Sequence, residues 1–325
     1  MSEIEAHLSR WREAGLLDEA TAERIRAFEA ERASRRPAIP PEERPGVIEI
    51  LLYLGIAVLA VGVTALAAQN WGDLASFARV LVTAVPAGFT LLVGALLRPR
   101  SEPGLRRAGQ LAWVASVALT ALAVGVILWE YEPFGLARDD DRTPFLLVAS
   151  SATALALLLW ALSPSTLQLF ALGGSCFFLA QSLGAWPDEY SSRLAGGSLA
   201  LVALAAIALA ETDYLSPRAT ARFVFGFLLA VGAFWPGFAD GGTPWELAAF
   251  VAAALLLALG VLRSSFQYVL WGVLLLFVAL VRTIFQNFSD QIGAPVALII
   301  SGALLIAAVT LLARLAPSLR RGVAA

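Results

Sequence analysis

Residues 46–71 read GVIEILLYLGIAVLAVGVTALAAQNW. Between Glu49 and Asp73 the stretch carries no charge, and it has the ~20 residues a helix needs to cross a bilayer. Lipid offers no water to the backbone N–H and C=O groups, so a stretch of this kind must satisfy them internally, as a helix. WELAAFVAAALLLALGVL at 245–262 reads the same way. From Val47 to Ala316 about ten such segments follow one another: 47–69, 77–97, 108–129, 144–162, 166–183, 194–210, 220–238, 245–262, 267–285 and 294–315. The seventh and eighth are interrupted by Pro236, Gly241, Gly242 and Pro244. The fold class is therefore all-α, a polytopic transmembrane helical bundle of about ten spans.

Composition agrees. Of 325 residues, 59% are hydrophobic and 15% charged, too apolar for a water-soluble domain of this length. The net charge of −2 gives no basic character suited to nucleic acid. All 23 basic residues are Arg, which excludes a Schiff-base lysine and a Walker lysine. One Cys (Cys176) and one His (His7) cannot build a zinc, haem or iron–sulfur ligand set, and no cofactor or metal is expected. Cys176 lies in an apolar run and reads as a small buried hydrophobe.

Outward from the spans, the chain has three further parts. Residues 1–36 predict a small soluble helical hairpin. Ser2 to Glu5 forms a capping box, and Ile4, Leu8 and Trp11 share a face. Gly15 suits a helix C′ position, Asp18 the N-cap of a second helix, and Ala22, Ile25 and Phe28 that helix's apolar face. Its core is too small to stand alone, so it is expected to dock on the membrane domain, on a second copy or on a partner. Residues 37–46, PAIPPEERPG, form a stiff Pro-rich linker, and residues 317–325 a tail. The charged start MSEIEAHLSRWRE has no apolar h-region, so the first span is expected to act as the targeting signal.

Arginine asymmetry sets the orientation. With the N-terminus inside, 18 Arg fall on inner segments and five (Arg79, Arg138, Arg142, Arg193 and Arg282) on outer ones. Both termini are thus expected in the cytoplasm, with the acidic loop 130–143 outside. A weak repeat accompanies this: the first span exits at QNWGD (69–73) and the ninth at QNFSD (286–290).

WREAGLLDEATAERI, the Pro-rich linker, and LGIAVLAVGVTALAAQNWGDL together resemble the bacterial membrane proteins grouped as domain of unknown function 2157. VRTIFQNFSDQIGAP followed by GALLIAAVTLLARL is similar to that family's final hairpin. The resemblance implies a multi-pass protein of the bacterial inner membrane and supplies no catalytic residue.

Polar groups near the hydrocarbon core are where function is sought, because they are costly to keep there. At outer ends these are Gln69, Asn70, Asp73, Arg79 and Glu130, with Arg282, Gln286, Asn287 and Asp290 from span nine. Arg282 and Gln286 share a helix face, and Arg282 calls for a carboxylate partner, for which Glu130 and Asp73 are the candidates. Gln69, Asn70, Asp73, Glu130, Arg282, Gln286 and Asn287 then define an outward-facing polar pocket for a small anionic or zwitterionic solute, as in a transporter. The alternative is an interfacial belt with Trp71, Trp129, Tyr131, Trp186, Trp235 and Trp245. On the inner side, Glu49, Gln110 and Gln168 read as snorkelling or interhelical bonding groups, and span glycines, among them Gly94, Gly173, Gly174, Gly196 and Gly197, as packing positions. No G-x-S-x-G, H-E-x-x-H or P-loop is present, and an enzyme is not expected. The second functional reading is a membrane-anchored scaffold or sensor whose cytoplasmic hairpin binds a partner.

Overall fold

The computed structural model describes residues 11–12, 14–15, 18–25, 68–99, 102–132, 142–187, 189–239 and 243–286, together with single positions between 299 and 310. The chain divides into two compact units, residues 1–64 and 65–325.

In the first unit, Gly15 adopts φ +68° and donates its N–H to Arg12 O at 3.0 Å. Asp18 Oδ1 accepts the Thr21 N–H at 3.0 Å and caps the helical residues 19–25. This bond holds the Asp18 carboxyl below the usual carboxylate range. Ala22 is buried and Ile25 half-buried, while Glu23 and Arg24 are exposed, so the helix turns its expected face away from water. Arg12 pairs with Glu19 at 2.7 Å across the turn. The rest of the expected hairpin, the linker 37–46 and the tail 317–325 lie outside the described residues.

The second unit is helical. A 3-10 turn, Trp71–Asp73, leads into α1 (Ser76–Leu97), α2 (Pro103–Tyr131), α3 (Arg142–Leu162), α4 (Thr166–Gly184), α5 (Ser192–Glu211), α6 (Arg218–Ala239), α7 (Thr243–Leu262) and α8 (Phe266–Gln286). Each is long and apolar enough to cross a membrane, and they are the eight such helices among the described residues. They match the second to ninth expected spans. The first and tenth, 47–69 and 294–315, fall almost wholly outside the described residues.

Helix starts follow local chemistry. Ser165 caps α4 by accepting the Gln168 N–H, and Ser191 caps α5 by accepting the Leu194 N–H, both at 3.3 Å. Pro103 opens α2, where its missing N–H removes no intrahelical bond. Successive helices pack as neighbours, and α4 also touches α2 and α6. Helices α2, α4, α6 and α8 start at one end, which carries Arg98, Arg106, Arg218, Arg222 and Arg263.

Pro236 does not end its helix, contrary to the interruption read from sequence. It is buried inside α6, one turn after Gly232. There α6 crosses α5 at backbone contact: a Cβ on Gly232 would lie 2.7 Å from Ala200 N, and one on Gly196 2.6 Å from Gly232 O. Packed backbone shields the polar groups that a proline frees. Leu169, Leu199, Phe225, Leu229, Leu256 and Tyr268 are among the buried residues of the shared core.

Candidate functional site

The polar residues read from the sequence do not gather at one place. Gln69, Asn70 and Asp73 are exposed around the 3-10 turn. Arg79, in the first turn of α1, reaches back over that turn. Its Nε donates to Trp71 O at 3.0 Å, Nη2 to Gly72 O at 3.3 Å, and its guanidinium lies 5.8 Å from the Trp71 ring centre. Its Nη1 donates to Glu130 Oε1 at 2.7 Å. Glu130 ends α2, the antiparallel neighbour of α1, and only 7% of its side chain is exposed. The carboxylate proposed for Arg282 is therefore engaged by Arg79, because the short α1–α2 connection brings those two ends together.

Arg282 has different surroundings. With the Gln286 amide oriented as its hydrogen bonds require, Gln286 accepts from Arg282 Nη2 at 2.9 Å and Nε at 3.1 Å, and donates to Glu246 Oε1 at 3.1 Å. The guanidinium lies 5.8 Å from the Phe234 ring centre. The shared face of Arg282 and Gln286 is thus formed as expected, and the carboxylate it reaches is Glu246 on α7 rather than Glu130 or Asp73. The cavity here, walled by Trp245, Glu246, Phe250 and Thr283, measures about 10 Å³, room for about one water. Asn287 lies outside the described residues. Glu130 borders a wider groove of about 550 Å³ whose other walls, including Trp71, Leu122, Trp129 and Phe178, are mostly apolar. Arg282 does not line it.

Among the described residues, the most densely bonded polar centre is one the sequence reading does not single out. Glu211 ends α5 with 9% of its side chain exposed. Its Oε1 accepts from Arg222 Nε at 2.8 Å and from the Tyr268 hydroxyl at 2.9 Å. Oε2 accepts from Arg222 Nη2 at 3.0 Å and faces Arg263 Nε at 3.1 Å. One carboxylate thus ties together the end of α5, the second turn of α6, the α7–α8 turn and α8. A carboxylate at a helix C-terminus opposes the helix dipole, and the two guanidiniums more than offset it. The available signal was a single acid closing the run ALAE at 208–211, with arginines at the same end of later spans.

Nearby, Gln168 is fully buried and donates Nε2 to Gln110 O at 3.2 Å, an interhelical bond of the kind expected for these two glutamines. Along α4, α6 and α8, Phe170, Phe177, Phe223, Phe227, Trp235 and Trp271 line a groove of about 670 Å³.

Eight apolar helices with their charges drawn into contacts between neighbours define a class, the multi-pass helical membrane proteins. Residues 9–164 match the family described as "Predicted membrane protein (DUF2157)". The match covers just under half of the chain, and the family's description names no activity. No curated protein and no solved structure matches the chain.

Proposed function

We propose that this protein is a membrane-anchored scaffold or sensor of the cytoplasmic membrane whose N-terminal residues 1–36 engage a protein partner or a second copy. The supporting observation is the fate of the polar groups that would have built a solute pocket. Glu130 is engaged by Arg79, Arg282 and Gln286 meet Glu246, and Gln69, Asn70 and Asp73 stay exposed around the 3-10 turn. The cavity at Arg282 is about 10 Å³, where solute sites measure ~300–1,000 Å³. The Glu130 groove is large enough, but its walls are mostly apolar and its acid is held by Arg79. In the N-terminal unit, Gly15 and Asp18 form the turn expected of a compact module, with Trp11 42% exposed beside it.

Two measurements on the full chain in native membranes test this reading. A photo-crosslinking amino acid replacing Trp11 should capture one defined protein or a second copy, and deleting residues 1–36 should shrink the detergent-extracted complex. No adduct and no change in size would overturn it. In a Cys176→Ala background, Ala279→Cys should resist a water-soluble maleimide. Rapid labelling there would reveal a hydrated cavity at Arg282 and restore the transporter reading.

A further inference from the structure

At the arginine-rich end, the last turn of α1, the first turns of α2 and the end of α3 enclose a second polar cavity, of about 150 Å³. Arg98, Arg106, Gln110 and Ser163 supply its polar groups, Trp113 forms a wall, and among the described residues no acidic side chain lines it. The floor is set by close packing: a Cβ on Gly94 would overlap the Trp113 ring, and one on Gly109 would lie 3.3 Å from Gly94 O.

Among the described residues, the side-chain hydrogen-bonding capacity here is mostly donating and mostly unused. Arg98 donates through Nη2 to Leu162 O and lies 5.8 Å from the Trp113 ring centre, which leaves most of the five guanidinium N–H groups open. Trp113 spends its own N–H on Leu91 O at 3.2 Å. Among the described residues, the side chains of Arg106, Gln110 and Ser163 have no hydrogen-bond or ion-pair partner. Arg106 and Gln110 lie in the first two turns of α2, at the positive end of its dipole. The C-terminal carbonyls of α1 and α3 act in the opposite sense, but each helix end is worth only about half a charge, against two full guanidinium charges.

We propose that this cavity binds a phosphate-type oxyanion between Arg98 and Arg106, either as the headgroup phosphate of an anionic lipid or as free phosphate. Guanidiniums recognise such oxyanions through paired N–H donors. Gln110 and Ser163 add neutral donors, and the volume of about 150 Å³ suits a group of about that size. The inference is independent of any role for residues 1–36.

The test uses the full chain in nanodiscs. In a neutral phosphatidylcholine disc, saturable binding of inorganic phosphate is measured by calorimetry. In a disc containing phosphatidylglycerol, retention of that lipid is measured by native mass spectrometry. Arg106→Gln is the informative variant, since its side chain holds nothing else among the described residues. Arg218→Gln is the control: it removes the same charge at the same end, from a half-exposed pair with Asp213. Arg106→Gln should weaken one of the two signals about tenfold and Arg218→Gln should leave it unchanged. Loss of the calorimetric signal assigns free phosphate, and loss of lipid retention assigns the headgroup. If Arg106→Gln matches wild type in both discs, or if both variants lower a signal equally, the site is refuted.

Discussion

Glu211 accepts from Arg222 and Tyr268 and faces Arg263, so its neighbours' energies are coupled. Tyr268→Phe removes one hydrogen bond to a charged acceptor and should cost about 1.5–3 kcal/mol, read as unfolding in detergent. Glu211→Ala should cost more, because it strands Arg222, whose side chain is 19% exposed. In the double variant the Tyr268 change should then cost much less than it does alone. Additive losses would show that Tyr268 acts by packing only. Asp18 poses a different question at the same scale. Its carboxyl is held below its ordinary value by the Thr21 N–H, so the cap is complete above the ordinary carboxylate pKa of about 3.9. It is lost as pH falls through the lower folded value. Amide protection over residues 21–25, corrected for intrinsic exchange, should drop at that pH in wild type. It should stay level in Asp18→Asn, which caps equally well and does not titrate. Asp18 and Gly15 were readable because capping is local. The partners of Glu130 and Glu211 were not, because sequence gives the end of a span at which a charge sits, and only helix adjacency gives its partner.

For the eight described membrane-length helices, hydropathy located each span but not always its ends. Hydropathy marks where lipid begins and is blind to a helix that continues into water. The expected span 108–129 is the apolar part of α2, which runs Pro103–Tyr131. At 29 residues and ~1.5 Å per residue it exceeds the ~30 Å hydrocarbon layer and lifts Arg106 and Arg107 beyond it. Glycine spacing was less informative. Gly196 and Gly197 look alike in sequence, yet a Cβ on Gly196 would meet Pro236 and Gly232, whereas one on Gly197 would meet nothing within 4 Å. Gly232→Ala should therefore force α5 and α6 apart and cost about 1–3 kcal/mol. Gly197→Ala should be neutral or stabilise by up to ~1 kcal/mol through helix propensity. Thermal unfolding of the two single variants separates a real crossing from a generic tolerance of small residues. Equal responses would place the α5–α6 contact elsewhere.

For the molecule as a whole, the open quantity is which end faces the cytoplasm, and the charge distribution makes a definite forecast. The positive-inside rule counts residues close to span ends, so the eight arginines of residues 1–46 are weak evidence, many of them lying far from a span. Setting them aside leaves ten against five, still two to one. The eight described helices alternate in direction as that count assumes, with Arg98, Arg106, Arg218, Arg222 and Arg263 at one end and Arg79, Arg142, Arg193 and Arg282 at the other. Each minority arginine at the second end also has polar contacts to occupy it, as Arg79 has with Glu130 and Arg282 with Gln286. In a Cys176→Ala background, Asp140→Cys should react with an impermeant maleimide in intact spheroplasts, which expose the outer face. Glu102→Cys should react only after the membrane is opened. The reverse pattern would invert the molecule. The Arg98–Arg106 cavity would then face outward, and a partner for residues 1–36 would have to be sought outside the cytoplasm.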